Sequence, residues 1–148
     1  MREEESEGSE PVNHTADAAL HVWARDREGL FRQAALGLLR LLTETARVQP
    51  VERTEVALGG LDLEELLVGW LNEILYLNDL GHRRFAQIDR VRIADAREGF
   101  RLEATLLGEA FDPGRHPAGV GVKAATYHGL CIDPRATDGY DLTIILDT

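Results

Sequence analysis

The chain is short of positive charge, and almost none of that charge is lysine. Of its 148 residues sixteen are Lys or Arg, against twenty-six Asp or Glu, and Lys123 is the one lysine. The formal net charge of −10 at pH 7 repels phosphate backbones, so strong direct binding to nucleic acid is not expected. Cysteine is as scarce: with Cys131 alone, no intrachain disulfide can form. Lying between Leu130 and Ile132 in a β-like run, Cys131 reads as a buried small hydrophobe rather than a nucleophile. No apolar run approaches the roughly eighteen residues of a membrane span, and the N-terminus is acidic where a signal peptide would be basic and then apolar. A cytoplasmic protein without membrane association is the expectation. A glycine-rich phosphate loop, paired zinc-binding cysteines, a helical His-Glu-x-x-His and a nucleophile elbow are also missing, which removes the familiar stand-alone enzyme motifs.

What is present reads as one globular domain. A hydrophobic share of 44% beside 28% charged residues is that of an ordinary soluble protein, and the length suits a single core. Residues 1–11 carry five glutamates with Ser, Gly and Pro. That composition lacks the apolar content to offset the entropy of ordering, so it predicts a disordered acidic tail ahead of a domain over 12–148. Alternation predicts a strand over Ala18 to Ala24. Leu30, Phe31, Ala34, Ala35, Leu38, Leu39 and Leu42 share one helical face behind the N-cap candidate Asp26, and the helix closes before Pro50.

Arg53 to Leu58 reads as a strand ended by Gly59-Gly60. A second helix starts at Asp62, whose spacing from Glu65 is that of a capping box, and runs to about Asn78 with Trp70 on its buried stripe. From Arg84 the period changes to two, with Phe85, Gln87, Asp89, Val91 and Ile93 on one side. A turn near Arg97-Glu98-Gly99 makes a hairpin with the strand from Phe100 to Gly108. After a Pro-rich loop, 121–132 alternates well enough for a strand, and Tyr140 to Leu146 is the last one. The order predicts an α+β two-layer domain: a mixed or antiparallel sheet of about six strands with two amphipathic helices on one face.

Chemistry-bearing residues gather at strand ends and loops: His14, Asp17, Asp112, His116, Lys123, Tyr127, His128 and Asp147. Where arginine serves for every other positive charge, a lone lysine marks a place for a compact, rotatable ammonium. Asp147 follows the apolar run Ile144-Ile145-Leu146, so a strand held to its end would set its carboxylate beside the terminal carboxylate of Thr148. If Asp17 reaches the same edge, three oxygen donors would suit Ca²⁺ or Mg²⁺, completed by water. A turn or backbone cap is the alternative for Asp17. His14, His116 or His128 acting as base in a metal-dependent hydrolase is a further, enzymatic reading.

Four motifs in register resemble one family. His14-Thr15-Ala16-Asp17, the run from Asp62 to Leu67 with Trp70-Leu71-Asn72-Glu73, Phe111-Asp112-Pro113 with His116 leading to 122–128, and the ending Ile145-Leu146-Asp147 are similar to archease. The likeness spans about residues 13–148. Departures are Ala18-Ala19, where the family has a glycine soon after its aspartate, and Thr148, where it commonly has isoleucine. The resemblance implies a non-enzymatic protein cofactor of the tRNA-splicing RNA ligase, one that promotes guanylylation and multiple turnover of that partner. It further implies a divalent-metal site, with Ca favoured and Mg or Mn as alternatives, held by Asp17, Asp147 and Thr148. Lys123 becomes a functional basic group beside it, and His14 and His128 become candidates for facing the ligase. A chaperone or specificity modulator of an RNA methyltransferase is the alternative the family suggests.

Overall fold

The computed structural model describes residues 6–12, 18–134 and 139–148. The elements run β1 (Gly8–Val12), β2 (Ala18–Ala24), α1 (Arg27–Leu42), a 3-10 turn (Thr45–Arg47), β3 (Glu52–Gly60), α2 (Leu63–Asp79), β4 (Arg83–Ala96), β5 (Gly99–Ala110), β6 (Ala124–Ala125), β7 (Asp133–Pro134) and β8 (Tyr140–Asp147). The domain is α+β, and its strands divide between two antiparallel sheets. One has the order β1-β2-β8-β6 with β7 also on β8, and the other has the order β3-β5-β4. Among the described residues no helix is long and apolar enough to cross a membrane.

Both helices start where their caps dictate. Asp26 Oδ1 accepts from the Gly29 N–H at 2.6 Å, and Asp62 Oδ1 accepts from the Glu65 N–H at 2.7 Å. Glu65 in turn accepts from the Leu61 N–H at 3.0 Å, so carboxylates satisfy the free amides at the positive end of α2. The helices touch each other, α1 also packing on β2 and β4 and α2 on β3 and β6, so one core serves both sheets. Trp70, Phe31, Phe85, Leu38, Leu66 and Leu102 are fully buried there. Each such side chain contributes about 1.5–3 kcal/mol relative to exposure. Trp70 is core, its indole N–H donating to the Phe31 carbonyl at 2.9 Å.

Three expectations are corrected. Residues 8–11 do not belong to a disordered tail: Gly8–Val12 pairs with β2 from Gly8 opposite Trp23 to Val12 opposite Ala19. The strand holds despite its polarity because its contacts are specific. A Cβ on Gly8 would come within 2.6 Å of the Trp23 ring, Gln33 donates to Glu7 at 2.6 Å, and Glu10 meets His21. In β4, irregularities between Phe85 and Gln87 and between Ile88 and Arg90 shift the register against β5. Phe85, Ile88, Val91 and Ile93 therefore face the core, while Gln87 and Asp89 are exposed. Lastly, 121–132 is mostly irregular, and only Ala124–Ala125 is strand within it. Only Ala124 and Ala125 find a ladder with β8, and beyond them Gly129 turns the chain with a φ of +66°.

Candidate functional site

The end of β8 organises the site. Its register against β2 puts Leu146 opposite Ala18, so β8 finishes at the edge of the sheet where β2 begins. On its other side β8 meets β6, with Asp147 opposite Ala124, and the Lys123 N–H donates to the Asp147 carbonyl at 2.7 Å. Further along, the Thr126 N–H and hydroxyl both donate to the Ile145 carbonyl, at 3.1 and 3.0 Å. Lys123, Asp147 and Thr148 are all exposed. Backbone pairing thus brings Lys123 and Asp147 together, but among the described residues the ammonium makes no ion pair with the Asp147 carboxylate. Its side chain lines two adjoining clefts of about 390 and 320 Å³ instead, with Asp79 common to both.

Beneath this edge lies a contact that sequence reasoning left without a role. Asn72, on the face of α2 turned towards β6, accepts from the Ala125 N–H through Oδ1 at 2.8 Å and donates from Nδ2 to the Ala125 carbonyl at 3.3 Å. An asparagine in mid-helix is less favourable than the leucines around it, and that local conflict was the available signal.

The other flagged residues separate. His14 and Asp17 lie outside the described residues. His128 is exposed on a turn, its N–H reaching the Thr126 hydroxyl at 3.3 Å, and Tyr127 beside it is 57% exposed. His116 is buried and fully used. Its Nδ1 accepts from the Asp112 N–H at 2.9 Å, so Nε2 carries the proton and donates to Glu109 at 2.8 Å. Glu109 also accepts from the Gln49 N–H at 2.8 Å and from Arg115 at 2.6 Å. The Gln49 amide above all, with His116 and Arg115, outweighs burial and holds the Glu109 carboxyl below its ordinary range. This cluster locks the loop after β5, and a histidine with both nitrogens committed is no free base. Cys131 is also corrected: it is exposed, outside the core, and its thiol lies 3.0 Å from Asp133 Oδ1. That carboxylate pushes its pKa up, which lowers its nucleophilicity.

A solved structure shares this arrangement of elements. The solution structure of Methanobacterium thermoautotrophicum protein 1598 superposes with a TM-score of 0.81 at 30% identity, covering 95% of this chain and 99% of that one. Protein archease of Methanopyrus kandleri is 39% identical over 124 residues, 84% of this chain and 88% of the relative. Protein archease of Saccharolobus solfataricus is 38% identical over 134 residues, 90% of this chain and 94% of the relative. The model of the Archease protein family matches residues 10–148. The chain belongs to the archease family.

At the end of β8 the Asp147 carboxylate and the oxygens of Thr148 are exposed, donors of the hard-oxygen kind that divalent cations take. Among the described residues no group of three or more His, Cys, Asp or Glu side chains is arranged to hold a metal ion. The expected set of Asp17, Asp147 and Thr148 includes one residue outside them.

Proposed function

We propose that this archease is a protein cofactor that activates the tRNA-splicing RNA ligase, promoting guanylylation of its partner and repeated turnover, and is not itself an enzyme. The observation that carries the reading is the backbone pairing of Lys123 with Asp147 at the exposed end of β8, which brings a lysine and an aspartate to the same edge of the sheet. An acidic protein with such a tip can work at a ligase centre without gripping RNA itself.

In this reading Asp147 and Thr148, with Asp17, hold a divalent cation, Ca²⁺ before Mg²⁺ or Mn²⁺. A bound ion would supply positive charge to phosphate oxygens. The protein's own groups orient and neutralise. The backbone of Asp147 is held by the β6–β8 ladder, and the Lys123 ammonium, free of any ion pair among the described residues, is available to phosphate charge. His14 and His128 remain candidates for contact with the ligase, and the protein acts in the cytoplasm.

The test is multiple-turnover RNA joining by the cognate ligase with and without this protein. Wild-type protein is expected to raise turnover, and Asp147→Ala to remove the gain while circular dichroism and the melting temperature stay unchanged. A full gain from Asp147→Ala sinks the role of the carboxylate.

A further inference from the structure

The edge strand of the first sheet needs a partner, and α2 supplies one. β6 is two residues long and lies outermost after β8. An edge strand leaves backbone amides and carbonyls unpaired, and a two-residue strand has too few ladder bonds to hold its own position. The Ala125 N–H and C=O nevertheless both have partners, and both belong to one side chain, Asn72 of α2. A carboxamide offers a donor and an acceptor at the spacing of a backbone amide, so Asn72 stands where the next strand would be. Only one orientation of the amide satisfies both bonds, Oδ1 to N–H and Nδ2 to C=O. Leucine or glutamate at this position would favour the helix more and would lack that donor–acceptor pair.

We infer that Asn72 is a positioning residue: its carboxamide clamps Ala125 against β8 and thereby sets Lys123 and Asp147 in the arrangement that the functional tip requires. The chain of contacts is continuous. Asn72 holds Ala125, Ala125 sits opposite Leu146, and the neighbouring Lys123 N–H is bonded to the Asp147 carbonyl at 2.7 Å. The part of the inference that concerns activity rests on the ligase reading above. The clamp itself does not, since it is a statement about backbone order at β6.

The experiment compares wild type with Asn72→Ala, which loses both bonds, and Asn72→Asp, which keeps the acceptor and loses the donor. Amide hydrogen exchange at Ala125 and Lys123 is expected to quicken about tenfold in Asn72→Ala and less in Asn72→Asp. Exchange at Leu102 and Leu66 should not change. In the joining assay, maximal stimulation by saturating variant should fall severalfold in the same order, while the concentration giving half-maximal stimulation holds. A general loss of structure does not produce that split.

Unchanged exchange at Ala125 and Lys123 overturns the clamp. Quickened exchange with undiminished maximal stimulation overturns its positioning role. If Asn72→Ala unfolds, Asn72→Asp gives the same two readings. If wild-type protein stimulates nothing, the ligase reading falls, and exchange at Ala125 still decides for or against the clamp.

Discussion

His21 Nε2 lies 2.8 Å from Asp141 Oδ1, and the other ring nitrogen lies 3.1 Å from Glu10 Oε1. A neutral imidazole has one N–H and would set a lone pair against one of these carboxylates. The imidazolium, with a donor at each nitrogen, satisfies both. It sits on β2 between Glu10 of β1 and Asp141 of β8, with the Trp23 ring at 5.1 Å and Asp133 of β7 opposite Asp141. Burial lowers the His21 pKa, but the hydrogen bonds to Asp141 and Glu10 outweigh it, and the net shift is upward from 6.5.

A pH dependence follows for the N-terminal strand. Because the folded value is raised, the contribution of this charge is fully present below the unfolded histidine pKa and is lost as pH rises through the folded one. Titration of the His21 ring by NMR should place its midpoint above 6.5. Exchange at β1 amides, corrected for its intrinsic pH dependence, should quicken across the same window. Glu10→Gln and Asp141→Asn should each lower the midpoint, and a midpoint at or below 6.5 in wild type refutes the bridge.

Lys123 is exposed and makes no ion pair among the described residues, so removing its charge should cost little stability, within about 0.5 kcal/mol. Its function is another matter. Lys123→Gln is expected to lower maximal ligase stimulation severalfold at an unchanged melting temperature. Lys123→Arg separates two roles: full activity means that any cation suffices, and loss means that a compact ammonium is needed. Stimulation by Lys123→Gln equal to wild type removes the lysine from the site.

The helices, their caps and the β4–β5 hairpin were legible because each rests on local chemistry: Asp26 and Asp62 at helix starts, Gly99 at a turn with a φ of +95°. The meeting of Lys123 and Asp147 at one sheet edge was legible in part, since Asp147 at the end of an apolar strand and a single lysine stand out in the sequence. What failed depended on long-range partners. Residues 8–11 look too polar to order, yet Gly8 fits over Trp23 and Glu10 meets His21, and neither contact has a local signature. The bulges of β4 exist only against β5. Asn72 bonds a residue 53 positions away, so its mid-helix oddity signals a role without naming the partner. His116 looked like a candidate base because its partner Glu109 gives no sign in sequence of turning inward.

The Glu109–His116 cluster should therefore govern stability and leave chemistry alone. Replacing His116 with Ala leaves the Asp112 N–H without its partner, takes one of three donors from Glu109 and opens a space behind the loop, a loss of about 1–3 kcal/mol. Chemical denaturation should show this as an earlier midpoint, with ligase stimulation by the folded fraction intact. Glu109→Gln should also destabilise the protein, and here pH provides the control. A carboxyl held below its ordinary range contributes stability that is present above the unfolded carboxylate pKa and lost as pH falls through the folded value. The gap between wild type and Glu109→Gln should thus be widest near neutrality and close in acid, below the usual carboxylate range. Denaturation midpoints at pH 7 and at successively lower pH measure it, and a gap that stays constant into acid means that the charge on Glu109 is not what holds the loop.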